Sequence, residues 1–338
     1  MNINLKTFLI IALFLMVTAC SSDSSNSPSD NSGNNSNPGY GSGPGYGSED
    51  PDPDESTEGL TQLFDLVASW GEEGENSSYL EAFNSPNSIA VDSAGNFYVT
   101  EFNGDTVKKF TPNGELIKQW GITGDENGEF NAPTGITVDS FDNVYVSESG
   151  NSRIQKFNPD GEWLATFGEG LFTSAMVIAS DSLDNLYVTD WGNGRVQVFD
   201  SEGTHLRTIG TQGAGSGQLS NPTGIKVDIS DVLWVVDRGN HRIQKFTLEG
   251  EFIETIGKSG SQAGEFSTPT SINFDSARNF YVSELGNSRV QVFNELGESL
   301  GEIAPGVLDN PHGLVFDTNG SLYVADTGNN LIRKFKVK

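Results

Sequence analysis

The chain has one cysteine, three histidines and only 19 basic side chains in 338 residues. A lone Cys20 excludes an internal disulfide and a four-cysteine zinc site. Three histidines (His205, His241 and His312) allow at most one three-imidazole metal centre, and only if the fold gathers them. The 46 acidic residues outweigh the bases and leave a formal net charge of −27. No large basic patch can then be built to neutralise a nucleic-acid backbone. Long apolar runs are also scarce: the one candidate, Phe8–Val17, is too short to span a bilayer comfortably. A Gly-x-Ser-x-Gly elbow, a phosphate-binding loop and a Cys–His pair are all missing. Glycine is what the chain has in quantity, with 40 residues. Counting it lifts the apolar share to about 47%, ordinary for a chain that builds a core between many turns.

Lys6 followed by Phe8–Val17 has the layout of a signal peptide, expected to occupy residues 1–20. It ends in Val17-Thr18-Ala19-Cys20, which resembles the bacterial lipobox. The resemblance implies cleavage before Cys20 and a lipid on its sulfur. The protein would then be lipid-anchored, extracytoplasmic and part of the cell envelope, held to the membrane through Cys20. Ser21 implies the outer membrane if the source is Gram-negative. Residues 21–58 contain Ser, Asn, Gly, Pro and eight acids, with no Lys or Arg. Such a segment cannot bury enough apolar surface to offset chain entropy and is expected to be a disordered linker. As a flexible chain it would span roughly 35 Å.

Residues 59–338 repeat themselves. The clearest unit is Pro133-Thr-Gly-Ile-Thr-Val-Asp139, then Asn143-Val-Tyr-Val-Ser-Glu148, then Gly150-Asn-Ser-Arg-Ile-Gln-Lys-Phe157. Its central aromatic recurs as Tyr98, Tyr145, Tyr187, Trp234, Tyr281 and Tyr323, at spacings of 42 or 47 residues. An aspartate stands six residues before each (Asp92, Asp139, Asp181, Asp228, Asp275, Asp317). An acid stands three residues after each (Glu101, Glu148, Asp190, Asp237, Glu284, Asp326). Short β-branched and aromatic segments at this period indicate an all-β propeller. The run P-x-G-I-x-V-D, N-x-Y-V-x-D/E, G-N-x-R-I-Q-x-F resembles the NHL repeat, which implies a six-bladed β-propeller. Five repeats are followed by a fourth strand such as Glu162–Phe167, and the sixth is not. The segment 63–70, ending in Trp70, has the character of the missing strand and is expected to complete the last blade, leaving no open edge.

Most repeated residues have a structural reading. The aspartates would accept N–H bonds in the turns, and the Gly-Asn pairs would supply positive φ angles for hairpins. Function is therefore sought where the repeat breaks. Asn87, Met176 and His312 depart from the threonine that follows the proline position in Thr134, Thr223 and Thr270. Phe102, Trp191 and Arg238 depart at the loop after the second strand. These six are the ligand-binding candidates, expected at one mouth of the central channel. No residue is singled out as catalytic. His205 and His241 fall at the periphery, so only His312 stands where a ligand belongs. The leading expectation is a non-enzymatic module without a cofactor, presenting this face to a protein, peptide or glycan and not to nucleic acid. The alternative is a lyase- or lactonase-like propeller enzyme. The resemblance to lactonase propellers implies calcium held by Glu101, Glu148 and Glu284 with Asn87.

Overall fold

The computed structural model describes residues 64–71 and 82–337. The expected signal peptide 1–20, the lipidation site Cys20 and the linker 21–58 lie outside the described residues. The described chain forms six four-stranded antiparallel sheets and one two-stranded parallel ribbon. Blade 2 shows the pattern: Pro133–Val138, Val144–Glu148, Arg153–Phe157 and Trp163–Phe167, running from the axis outward. The first strands pack on one another in chain order, and Pro311–Phe316 returns to Pro86–Val91. This is the six-bladed β-propeller the repeats imply.

The last blade closes as expected. Its three C-terminal strands are Pro311–Phe316, Ser321–Asp326 and Leu331–Val337, and its outermost strand is Phe64–Gly71. Phe64 lies opposite Val337 and Gly71 opposite Leu331. Trp70 on that strand stacks on Tyr323 (5.9 Å, 14°) and lies 5.2 Å from Phe97 of blade 1. One side chain thus ties the closing strand to both blades it must join.

Alternation along each strand sends one set of side chains to each face, so apolar residues fill the spaces between neighbouring blades. Val144, Val146 and Phe157 of blade 2 meet Ala90, Tyr98 and Val107 of blade 1. Val290, Val292 and Ile303 of blade 5 meet Leu314, Leu322 and Val324 of blade 6. Tyr98, Tyr145, Tyr187, Tyr281 and Tyr323 are all buried.

The spacing of six between aspartate and tyrosine has a direct cause. Asp139 Oδ1 accepts from the backbone N–H of Phe141 (2.9 Å) and Asn143 (2.8 Å). Its Oδ2 accepts from Asn143 Nδ2 (2.9 Å) and from the hydroxyl of Tyr145 (3.0 Å). One carboxylate closes the turn and satisfies a phenol that would otherwise be buried unpaired. Burial and this acid push the Tyr145 pKa up.

The hairpin glycines work differently from expectation. In Gly150-Asn151-Ser152 the left-handed residue is Ser152 (φ 53°), and in the other blades it is Asp105, Gly194, His241, Ser288 or Asn330. Gly150 is needed for space: a Cβ there would lie 2.7 Å from the Asn131 carbonyl oxygen.

Candidate active site

All six first strands run the same way, so the residues at their starts form one end of a ring. Hydroxyls one position before four of the six second-strand acids hold that ring together. Thr100 Oγ1 donates to the Thr134 carbonyl (3.2 Å), and Thr189 Oγ1 to that of Thr223 (2.8 Å). Ser147 Oγ donates to Met176 O, and Ser283 Oγ to His312 O (2.5 Å). Blades 4 and 6 carry Val236 and Ala325 instead.

At this end Asn87, Met176, Arg238 and His312 line one narrow cavity of about 20 Å³, with Thr134, Thr223 and Thr270 between them. That volume admits about one water-sized group, so only the tip of a ligand can enter. Four of the six candidates therefore converge. Phe102 and Trp191 do not line the cavity; both are half-buried, and their backbone N–H groups donate to Ser85 O and Ser174 O. The threonines fit the repeat, so nothing in the sequence marks them as lining residues. Ser283, which anchors His312, was invisible because nothing in its sequence position marks it as a neighbour of blade 6.

Asn87 Nδ2 lies 3.4 Å from His312 Nδ1. Burial first, and then the nearby Arg238 charge, push the His312 pKa down to about 3. The imidazole is thus neutral throughout the physiological range. Burial lowers the Arg238 pKa to about 10, so the guanidinium stays charged at neutral pH. The other arginines among the described residues hold an acid or a carbonyl. Arg153, Arg195, Arg242, Arg289 and Arg333 pair with the second-strand acids. Arg278 pairs with Glu295, and Arg207 donates to Leu248 O. Arg238 has no such partner among the described residues. An unmatched cation beside a neutral base, at the end of a ring in so acidic a chain, is a place for developing negative charge.

The carboxylates of the calcium alternative do not come together. Glu148 is buried, paired with Arg153 Nε (2.6 Å), and accepts from Asn131 N, Asn151 Nδ2 and Gln155 Nε2. Glu284 repeats this with Arg289 (2.6 Å) and Ser267 N, and Glu101 with Lys108 (3.1 Å) and Asn84 N. Each pins the loop leading into its own blade, so the geometry spends them structurally. Among the described residues no three His, Cys, Asp or Glu side chains are arranged to hold a metal ion. The cavity itself offers one imidazole, one amide, hydroxyls and a guanidinium, a donor set that does not fit a hard divalent cation. His205 lies in the outer strand His205–Ile209, and His241 caps a one-turn 3-10 helix, as their sequence positions suggested.

The fold and this site define a six-bladed propeller with a neutral imidazole and, among the described residues, an unpaired guanidinium at one end of its axis. Residues 66–334 match the virginiamycin B lyase family, and the chain belongs to it. Among solved structures it is similar to a catalytically inactive histidine-to-alanine variant of virginiamycin B lyase from Staphylococcus aureus with quinupristin. The identity is 19%, 75% of this chain and 80% of that one are covered, and the TM-score is 0.58. A streptogramin B lyase is similar at 15% identity, with 81% and 98% covered and a TM-score of 0.59. A gluconolactonase from Xanthomonas campestris is similar at 15% identity, with 76% and 87% covered and a TM-score of 0.60. At these identities the likeness to solved structures shows the fold alone. No curated protein matches significantly. The family corrects the leading sequence expectation of a non-enzymatic binding module: membership of the virginiamycin B lyase family favours the enzyme alternative. The sequence favours the binding module because it carries no recognised nucleophile motif and its repeated acids have a structural reading.

Proposed function

We propose that the chain is a propeller enzyme of the lyase or lactonase kind that opens a cyclic ester at the His312–Arg238 end of its axis. The observation carrying this reading is the neutral His312 beside the unpartnered Arg238 in a chain of the virginiamycin B lyase family. The two reactions share an outcome: a ring ester becomes a carboxylate. In elimination, a base removes a proton from the carbon next to the one bearing the ester oxygen. A carbon–carbon double bond forms, the C–O bond breaks, and its electrons leave as carboxylate. In hydrolysis, the base takes a proton from water as it adds to the carbonyl, and the leaving alkoxide takes that proton up. His312 is the base in either case, and Arg238 holds the oxygens on which charge develops. Asn87 orients the imidazole. The narrow cavity accepts the ester group while the substrate ring stays above it.

Mass spectrometry after incubation with a panel of simple lactones and cyclic depsipeptides tests this. Hydrolysis adds the mass of one water, and elimination leaves the mass unchanged. We expect ring opening in one class, reduced about a hundredfold or more in folded His312→Ala. Undiminished ring opening in both His312→Ala and Arg238→Met would refute the assignment.

The finer sequence readings join the same picture. The repeats are of NHL type, Cys20 carries the lipid, and residues 21–58 tether the enzyme to the cell envelope. Cys20→Ala is expected to move the protein from the membrane to the soluble fraction.

A further inference from the structure

The larger cavity lies at the other end of the ring, where the first strands finish, and encloses about 580 Å³. That is within the range of small-molecule sites. Blade 4 departs from the repeat twice here, at residues that face each other across two strands. Lys226 is paired in register with Trp234. The same position on the other first strands is Ala90, Thr137, Ala179, Asn273 or Val315, opposite a tyrosine. The single lysine and the single tryptophan of the series thus share one cross-strand pair, and both line the cavity with Phe274 and Phe316.

The Trp234 indole keeps the repeat's own bond, donating to Asp228 Oδ2 at 2.8 Å, so its departure costs the turn nothing. Lys226 is different. Lys108, Lys109, Lys156, Lys245 and Lys334 each reach an acid within 4 Å. The Lys226 side chain makes no hydrogen bond or ion pair among the described residues. Burial lowers its pKa, and no acid offsets that. The acids that face the cavity are otherwise engaged. Asp228 and Asp275 close their turns, Asp317 closes its turn and holds Lys334 at 3.2 Å, and Glu295 pairs with Arg278 at 2.9 Å. Lys245, 3.8 Å over the Trp234 ring, is itself paired with Glu254. Four carboxylates against the Arg278 charge disfavour an anionic ligand. An unpaired amine among aromatic walls suits a neutral, partly apolar one that reacts with it.

We propose that Lys226 is a reactive amine that captures small neutral aldehydes or ketones as imines in this cavity. The amine nitrogen adds to the carbonyl carbon, the carbinolamine loses its oxygen as water, and the imine takes up a proton. No redox partner is required, and the site is independent of His312.

Reductive trapping tests it. The full-length protein is incubated at neutral pH with benzaldehyde as probe and cyanoborohydride, and adducts are located by peptide mass mapping. Lys226 is expected to be benzylated about tenfold or more ahead of the exposed Lys258 and Lys336, because its amine lines the cavity with no acid to hold it as ammonium. Lys226→Met should remove the fast adduct while the slow ones persist, and Lys226→Arg, which keeps the charge, should do the same. Labelling of Lys226 no faster than Lys258 would overturn the proposal. So would a fast adduct that survives in either variant.

Discussion

Glu148→Gln separates a structural ring of acids from a functional one. The Glu148 carboxylate is fully buried and receives four donors, one of them the Arg153 guanidinium at 2.6 Å. An amide in its place keeps the volume but turns one acceptor into a donor facing donors. It also leaves Arg153, whose side chain is 5% exposed, without its counter-charge. Removing one partner of such a pair costs about 3–5 kcal/mol. For a domain of this size each kcal/mol lowers Tm by about 2–4 °C, so a fall near 10 °C is expected. Glu202→Gln is the control: Glu202 is 83% exposed and lies 3.9 Å from Lys156, a surface pair worth about 0–1 kcal/mol. The double variant Glu148→Met/Arg153→Met removes both charges together and should recover part of the loss. Thermal melts read by circular dichroism suffice. A Glu148→Gln protein within about 1 kcal/mol of wild type would refute the structural reading and return these acids to candidacy as ligands.

Three further outcomes are expected. His312 titrates near 3 in the folded chain against an ordinary value of about 6.5, so the unfolded chain binds the proton first. This residue then lowers stability progressively as pH falls from about 6.5 towards 3 and has no such effect above that window. His312→Asn should flatten that part of the pH–stability curve in urea titrations, and an unchanged slope would contradict the shift. Ser283→Ala removes the hydroxyl that holds the His312 carbonyl. Ring-opening activity should fall about tenfold, against a stability loss near 1 kcal/mol. Equal activity in steady-state assays would show that the anchor does not position the base. Tyr145→Phe deletes the 3.0 Å bond to Asp139 and should lower Tm by about 2–4 °C in calorimetry.

The architecture was legible because each blade repeats one solution to the same packing problem. The spacing from aspartate to aromatic and the second-strand acid are two parts of that solution, and their six copies fix the blade count. The closing strand was legible because Trp70 resembles the outer-strand residues it replaces. The site was legible only in part. Asn87, Met176, Arg238 and His312 stood out as departures from the repeat, and the structure gathers them. Phe102 and Trp191 departed equally yet stay outside the cavity, because a loop position fixes the face but not the radius. Lys226 escaped notice altogether. It sits on a strand, where the pattern of alternation is unbroken, and its meaning appears only with Trp234 opposite.

The strand that shuts the ring is made first and used last. Phe64–Gly71 leaves the ribosome some 270 residues before its partner Leu331–Val337. At 5–20 residues per second that interval is roughly 15–55 s. During this time five blades can assemble in order while the first-made strand waits unpaired, its edge able to join a neighbouring chain. A second copy in the same state offers the same strand to the same empty place. Exchange of this one segment between copies is therefore the misassembly that this mode of closure permits.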